Sequence, residues 1–225
     1  HPTSCREVEI SKREECRIEA AKMGMNAQAL KAALWCADRI GIQNGYRVGR
    51  LDKRRLARSA TSDYVFGRRV EEPGEGAAVR VLVDGSGSMG GMRITKTASM
   101  VLGMWPAIVS SRASAKVWIF RQEGSSMGES AVLFKICDTS QPAKRAMANI
   151  RRMPRFPGGG TPTDAAVSGA LDELARAPEK RKVLFVMADA DMSMYPKDLQ
   201  AKADSLGIIM AGIGIAVDAF YQWRL

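Results

Sequence analysis

Histidine is almost missing from this sequence: of 225 residues only His1 is one. Catalysis of the Ser-His-Asp or Cys-His type needs an internal imidazole, as do His-ligated metal sites, so these chemistries are excluded. The four cysteines, Cys5, Cys16, Cys36 and Cys137, contain no C-x-x-C pair. That removes a zinc site and a disulfide framework, and predicts a reducing, cytoplasmic setting. No apolar run approaches the roughly 20 residues of a membrane span. No signal peptide is visible either, and a start at His1 rather than Met predicts a trimmed N-terminus. A Walker A lysine motif is absent, so any use of ATP is expected of a partner.

Charge is present in quantity, with a net +10. It is spread along the chain, 15 basic against 11 acidic residues in 1–76 and 19 against 13 in 77–225. One denser patch runs from Arg47 to Arg69, where eight Lys/Arg face only Asp52 and Asp63. Such a patch suits nucleic-acid phosphates, but it lacks interleaved aromatics and suits an acidic protein surface equally well.

The pattern of apolar residues divides the chain at Glu71 to Gly76, where Pro73, Gly74 and Gly76 read as a linker. Residues 1–76 are expected to form a helical N-terminal region with a basic segment. Two helices are expected within 4–42, a turn at Gly41 to Gly49 punctuated by Asn44-Gly45, and a short helix capped by Asp52. Residues 77–225 alternate apolar strands with helical stretches, which predicts a doubly wound, Rossmann-like α/β domain. Strands are expected at 79–84, 115–120, 130–136, 182–188 and 207–215. Helices are expected at 92–111, 141–152, 163–177 and 197–206, with another begun at Val217. Only Arg121 to Glu129 separate the second and third strands, too few for a crossover helix, so these two should be antiparallel at one edge of a mostly parallel sheet.

The densest chemistry lies where the first of these strands ends, in Asp84-Gly85-Ser86-Gly87-Ser88-Met89-Gly90-Gly91. Gly85 to Gly90 fits the dinucleotide spacing G-x-G-x-x-G, but no Asp or Glu occurs between Asp84 and Glu123 to hold a ribose. A nucleophilic Ser88 lacks both the first glycine of G-x-S-x-G and a base. A hard cation explains more residues at once. Asp84, Ser86 and Ser88 offer a carboxylate and two hydroxyls from alternate positions, the donors that Mg²⁺ accepts while keeping waters. Two further strand-helix junctions carry similar groups, Gly158-Gly159-Gly160-Thr161-Pro162-Thr163-Asp164 and Met187-Ala188-Asp189-Ala190-Asp191. Taken singly, each residue has a local explanation as a cap or turn former; taken together they converge on one end of the sheet.

Asp84-x-Ser86-x-Ser88, then Thr161 in a glycine-rich loop, then Asp189 at a strand end, resembles the metal-ion-dependent adhesion site (MIDAS) of von Willebrand factor A (VWA) domains. The resemblance spans residues 77–216 or so. It implies that Asp84, Ser86, Ser88 and Thr161 ligate a metal directly or through water, and that Asp189 acts mostly through water. The metal implied is Mg²⁺, with Mn²⁺ or Ca²⁺ as alternatives. Asp164 and Asp191 are expected to support these residues or to cap helices. Further upstream, Arg50 to Arg58 followed by Val65-Phe66-Gly67-Arg68-Arg69 resembles the C-terminal module of the CobT-type subunit of aerobic cobaltochelatase and of related bacterial and phage proteins. The chain departs from that pattern in its full Gly-Gly-Gly-Thr161-Pro loop and in having no long acidic region.

These resemblances imply a non-catalytic, chelatase-like subunit that couples a client protein to a MoxR- or CobS-like AAA+ ATPase, with a partner Asp or Glu completing the metal's coordination. Two other readings stay open at this point. One is a Mg²⁺-dependent phosphohydrolase using Asp84 and Asp189, although no base or phosphate-directed Lys or Arg is apparent. The other is a nucleic-acid-binding protein using residues 47–69.

Overall fold

A computed structural model describes residues 6–9, 16–20, 30, 39–46, 50–51, 66–72, 76–123, 130–189, 197–215 and 220–224. Its contacts divide the chain into two compact units, one made of His1–Trp35 with Gly76–Leu225 and the other of Cys36–Glu75.

The larger unit is built on β5 (Ala77–Asp84), whose eight residues are all buried. A strand buried on both faces must be a continuous apolar run, and Ala-Ala-Val-Arg-Val-Leu-Val-Asp is one except for Arg80 and the terminal Asp84. β6 (Ser114–Glu123) and β8 (Arg181–Asp189) pair with it in parallel on either side, and β9 (Ile208–Ile215) extends the sheet in parallel beyond β8. β7 (Ser130–Asp138) runs antiparallel to β6, as the short 121–129 connection predicts.

The antiparallel pair is not at the very edge, however. β1 (Arg6–Glu9) pairs in parallel outside β7, and β10 (Phe220–Arg224) pairs antiparallel outside β9, giving the order β1-β7-β6-β5-β8-β9-β10. Two expectations are thereby corrected. Arg6–Glu9 is a strand rather than helix, because its backbone pairs in parallel with the edge of β7. The chain after Val217 forms a strand over 220–224, not a helix. The expected division at 76/77 also becomes discontinuous, since β1 belongs to the sheet of the later chain.

Helices α1 (Met92–Ser110), α2 (Ala143–Arg151), α3 (Thr163–Arg176) and α4 (Lys197–Ser205) lie close to the expected ranges. α1 continues through Pro106, which is exposed, and buries Ile94, Ala98, Val101, Leu102, Trp105 and Ile108. α3 and α4 cover one sheet face, where Val167, Leu171, Leu174 and Leu199 meet Leu82, Trp118, Phe120, Leu184 and Met210. Among the described residues no helix is long and apolar enough to cross a membrane.

The one charge inside β5 has a specific partner. Arg80, 3% exposed, donates from Nε to Glu173 Oε2 at 2.6 Å and from Nη2 to Oε1 at 3.0 Å, while Lys116 Nζ reaches the same Oε1 at 2.8 Å. Its Nη1 donates to the carbonyls of Val79 and Ser114. A bidentate, fully hydrogen-bonded guanidinium is the form in which a buried arginine is tolerated. Because Glu173 is on α3, the pair fixes that helix, and so its N-terminus, against the central strand. Burial opposes ionisation of Glu173, but the hydrogen bonds from Arg80 and Lys116 outweigh it and hold its carboxyl below the usual value.

In the smaller unit, β2 (Arg39–Tyr46), β4 (Phe66–Glu72) and β3 (Arg50–Leu51) form an antiparallel sheet in the order β2-β4-β3. Here too strands replace expected helix and turn. Ile40 and Ile42 alternate with other residues and pair with β4, and Asn44-Gly45 is a bulge within β2 instead of a loop. The Asp52 cap and most of the basic 47–69 segment lie outside the described residues, as do Pro73 to Glu75 of the linker. Of the two helices expected in 4–42, residues 16–20 are irregular instead, Leu30 is the one helical residue among those described, and the remainder apart from β1 and β2 lies outside the described residues.

Candidate metal centre

Parallel strands bring their carboxyl ends to one edge, and register decides which residues meet there. Val83 is level with Met187 across β5 and β8, and Asp84 is level with Phe120 across β5 and β6. Asp84 therefore ends the central strand beside Ala188, with Asp189 one residue further along the neighbouring strand.

Backbone hydrogen bonds then lock two loops over this end of β5. Gly85 N–H donates to the Phe120 carbonyl at 2.8 Å, Gly158 N–H to the Gly85 carbonyl at 2.8 Å, and Gly87 N–H to the Gly159 carbonyl at 3.2 Å. Gln122 N–H donates to the Gly160 carbonyl at 3.1 Å. Such close passage explains the glycines. A Cβ at Gly85 would lie 2.3 Å from Ile119 Cγ2, and one at Gly159, whose φ is +75°, would lie 2.3 Å from the Gln122 carbonyl oxygen. Arg121 adds a side-chain brace, donating from Nη1 to the Phe156 carbonyl at 2.8 Å. The loop bearing Thr161 is thus tied to the loop bearing Ser86 and Ser88.

Within this frame Asp84 is 1% exposed. Its Oδ1 accepts the Ser86 N–H at 2.7 Å, and its Oδ2 is buried with no hydrogen-bond partner. Burial raises the Asp84 carboxyl to about 6; hydrogen bonding by Ser86 pulls the other way, and the charge of Asp189 adds to the rise. Ser86 is buried, Ser88 is exposed, and their Oγ atoms are 3.0 Å apart. Thr161 is exposed at the turn into α3, its carbonyl accepting the Thr163 N–H at 2.9 Å. Asp164 is exposed in the first turn of α3, where its charge suits the helix N-terminus, but that helix has no side-chain cap. Asp191 lies outside the described residues.

Asp189 is engaged by a residue the sequence reading passed over. Arg93, in the first turn of α1, donates from Nη1 to Asp189 Oδ2 at 3.3 Å and to the Ser88 carbonyl at 3.1 Å. The helix expected over 92–111 covers Arg93, but nothing in the spacing tied its first turn to a strand nearly a hundred residues on.

An orphaned, buried carboxylate oxygen is costly unless something electropositive completes it. The Ser86 and Ser88 hydroxyls lie 3.0 Å apart in the loop that follows Asp84, so the donors at this strand end are hard oxygens of the kind a divalent alkaline-earth ion takes. Among the described residues no three His, Cys, Asp or Glu gather around one point, so such an ion would rely on hydroxyls and water for part of its coordination.

A family model for the von Willebrand factor type A domain matches residues 79–223. The chain belongs to the von Willebrand factor type A domain family. VWA domains commonly serve as metal-dependent protein-interaction modules, and many bind a divalent metal ion. No curated protein matches the chain. Among solved structures, the VWA-containing pilus adhesin SpaC of Lactobacillus rhamnosus GG is similar at 20% identity, with a TM-score of 0.39. That match covers 50% of this chain and 15% of the adhesin.

Proposed function

We propose that this VWA domain is a non-catalytic, cytoplasmic binding subunit whose partner contact depends on a divalent cation, Mg²⁺ in the first instance. The observation that carries the reading is Asp84: an almost fully buried carboxylate with one oxygen unpaired, at the sheet end where two hydroxyls and a braced glycine loop converge. Asp84, Ser86, Ser88 and Thr161 would hold the ion, and Asp189 would support it through water. A bound cation supplies an electrophilic position at which an Asp or Glu oxygen of a partner replaces water.

The protein's own residues do the rest. The backbone bonds between residues 85–87 and 158–159 keep the hydroxyls in place without the ion, so little ordering accompanies binding. The Arg80–Glu173 pair anchors α3 and, through its first residue Thr163, the position of Thr161.

The partner reading is finer and rests on the upstream segment. Arg50 to Arg58 with Phe66 to Arg69, ahead of a metal motif, supports a chelatase-like subunit that joins a client protein to an AAA+ ATPase. The positive patch of 47–69 would widen the contact with an acidic surface. Co-purification from cells with and without Mg²⁺ tests this. Recovery of an AAA+ ATPase that is lost on EDTA treatment and in Asp84→Ala supports the reading. Recovery indifferent to both sinks the metal-dependent contact, and turnover in phosphatase or ATPase assays abolished by Asp84→Ala would make the chain an enzyme instead.

A further inference from the structure

The guanidinium of Arg93 is a cation already seated at the rim of the proposed metal site. One nitrogen, Nη1, bridges the Ser88 carbonyl and Asp189 Oδ2, so a single positive group links the first loop to the strand end of β8. The pair is part-buried, with side-chain exposures of 35% for Arg93 and 26% for Asp189. Asp84 closes the neighbouring strand β5, and the charges of Asp189 and Asp84 repel each other. No other acid lies in the sequence from Gly85 to Gln122.

We infer that Arg93 is a built-in counter-ion of the metal-free site, a latch that neutralises Asp189 and that a divalent cation must work against. The inference rests on the metal reading above and adds a residue that sets the affinity of that site. The reasoning is electrostatic. Without a metal, two carboxylates at one sheet end destabilise each other, and a guanidinium tied to one of them relieves part of the repulsion. When a doubly charged ion arrives, the same guanidinium becomes a like charge beside it, and the acceptor it occupies, Asp189, is the residue expected to face the ion's water shell. Arg93 therefore stabilises the empty state and weakens the loaded one. Its position at the start of α1 lets the side chain swing toward solvent without disturbing the helix, whose buried face begins at Ile94. A partner carboxylate would complete the exchange by accepting the released guanidinium, since Nη2 and Nε make no hydrogen bond among the described residues.

The test is direct metal binding by the purified chain, with Mg²⁺ by titration calorimetry and free Mn²⁺ by paramagnetic resonance. Arg93→Gln should bind either ion roughly tenfold more tightly than the wild type at low salt, the scale of one screened unit charge acting on a divalent ion. It should also melt lower in EDTA. In an Asp189→Asn background, where the latch has lost its partner's charge and keeps only the Ser88 carbonyl, the melting penalty of Arg93→Gln should shrink. In the unaltered chain, the Arg93 guanidinium resonance should shift as Mg²⁺ is added, a readout that does not depend on any variant folding. Affinity in Arg93→Gln that is equal to or weaker than wild type, or a guanidinium resonance unmoved by saturating Mg²⁺, overturns the latch while leaving the metal site standing. Failure of folded wild-type chain to bind either ion overturns the site and the latch together.

Discussion

Replacing Asp84 by Asn separates the function of this carboxylate from its cost to the fold. Burial raises the Asp84 carboxyl from 3.8 to about 6, so the folded chain holds this proton more tightly than the unfolded chain does. The sign follows directly: in the metal-free protein, stability from this group is fully present below about pH 4 and is lost as pH rises through about 6. At neutral pH the loss is on the order of 3 kcal/mol, and roughly half of it is regained between pH 7.5 and pH 5. Asp84→Asn removes the charge and keeps the acceptor for the Ser86 N–H. It should stabilise the metal-free chain by about 1–2 kcal/mol at pH 7.5, less than the full loss because an unpartnered amide keeps some desolvation cost. Urea denaturation in EDTA at both pH values measures this. The gap should narrow on acidification, and it should reverse in Mg²⁺, where a hundredfold excess over Kd stabilises wild type alone by about 2.7 kcal/mol. If Asp84→Asn is less stable than wild type in EDTA, or the gap ignores pH, the carboxylate is held by a partner and the reasoning fails.

Other consequences are smaller in scope. Glu173→Ala leaves Arg80 buried without its counter-charge and should cost about 3 kcal/mol in urea denaturation. Since the Glu173 carboxyl is held below its usual value, its contribution is present above pH 4.5 and is lost as pH falls further, opposite in sign to that of Asp84. Gly159→Ala forces a side chain into a left-handed backbone against the Gln122 carbonyl; it should cost about 2 kcal/mol in thermal melting and lower Mg²⁺ affinity as the two loops part. Thr161→Ala, at an exposed position, should lower Mg²⁺ affinity roughly tenfold while changing the metal-free melting temperature little, which calorimetry and melting curves together report.

The parallel core was readable because its strands are unbroken apolar runs and its helices carry a clear apolar stripe; every element from β5 to β9 lies within a few residues of expectation. The positions of Asp84 and Asp189 were readable because each is an acid that closes an apolar strand run. The misread elements share a cause. Arg6–Glu9 is a polar, helix-compatible segment and Arg39–Tyr46 carries turn-forming Gly41 and Asn44-Gly45, and the strand state of each comes from a partner, β7 and β4, later in the chain. Nothing near Arg80 in the sequence accounts for a charge inside β5; Glu173 on α3 does. Arg93 was equally silent, because its meaning depends on Asp189 from another strand. Long-range pairing, rather than local composition, is the information a single sequence leaves out.

The central claim is that the buried end of β5 holds a divalent cation. Calorimetric titration of Mg²⁺ into the purified chain at neutral pH, beside Asp84→Ala shown to be folded, tests it most directly. One site per chain in the wild type, absent from the variant and weakened as pH falls below about 6, is the predicted result. No heat of binding in a folded wild-type chain, or a site that survives Asp84→Ala unchanged, would contradict the account.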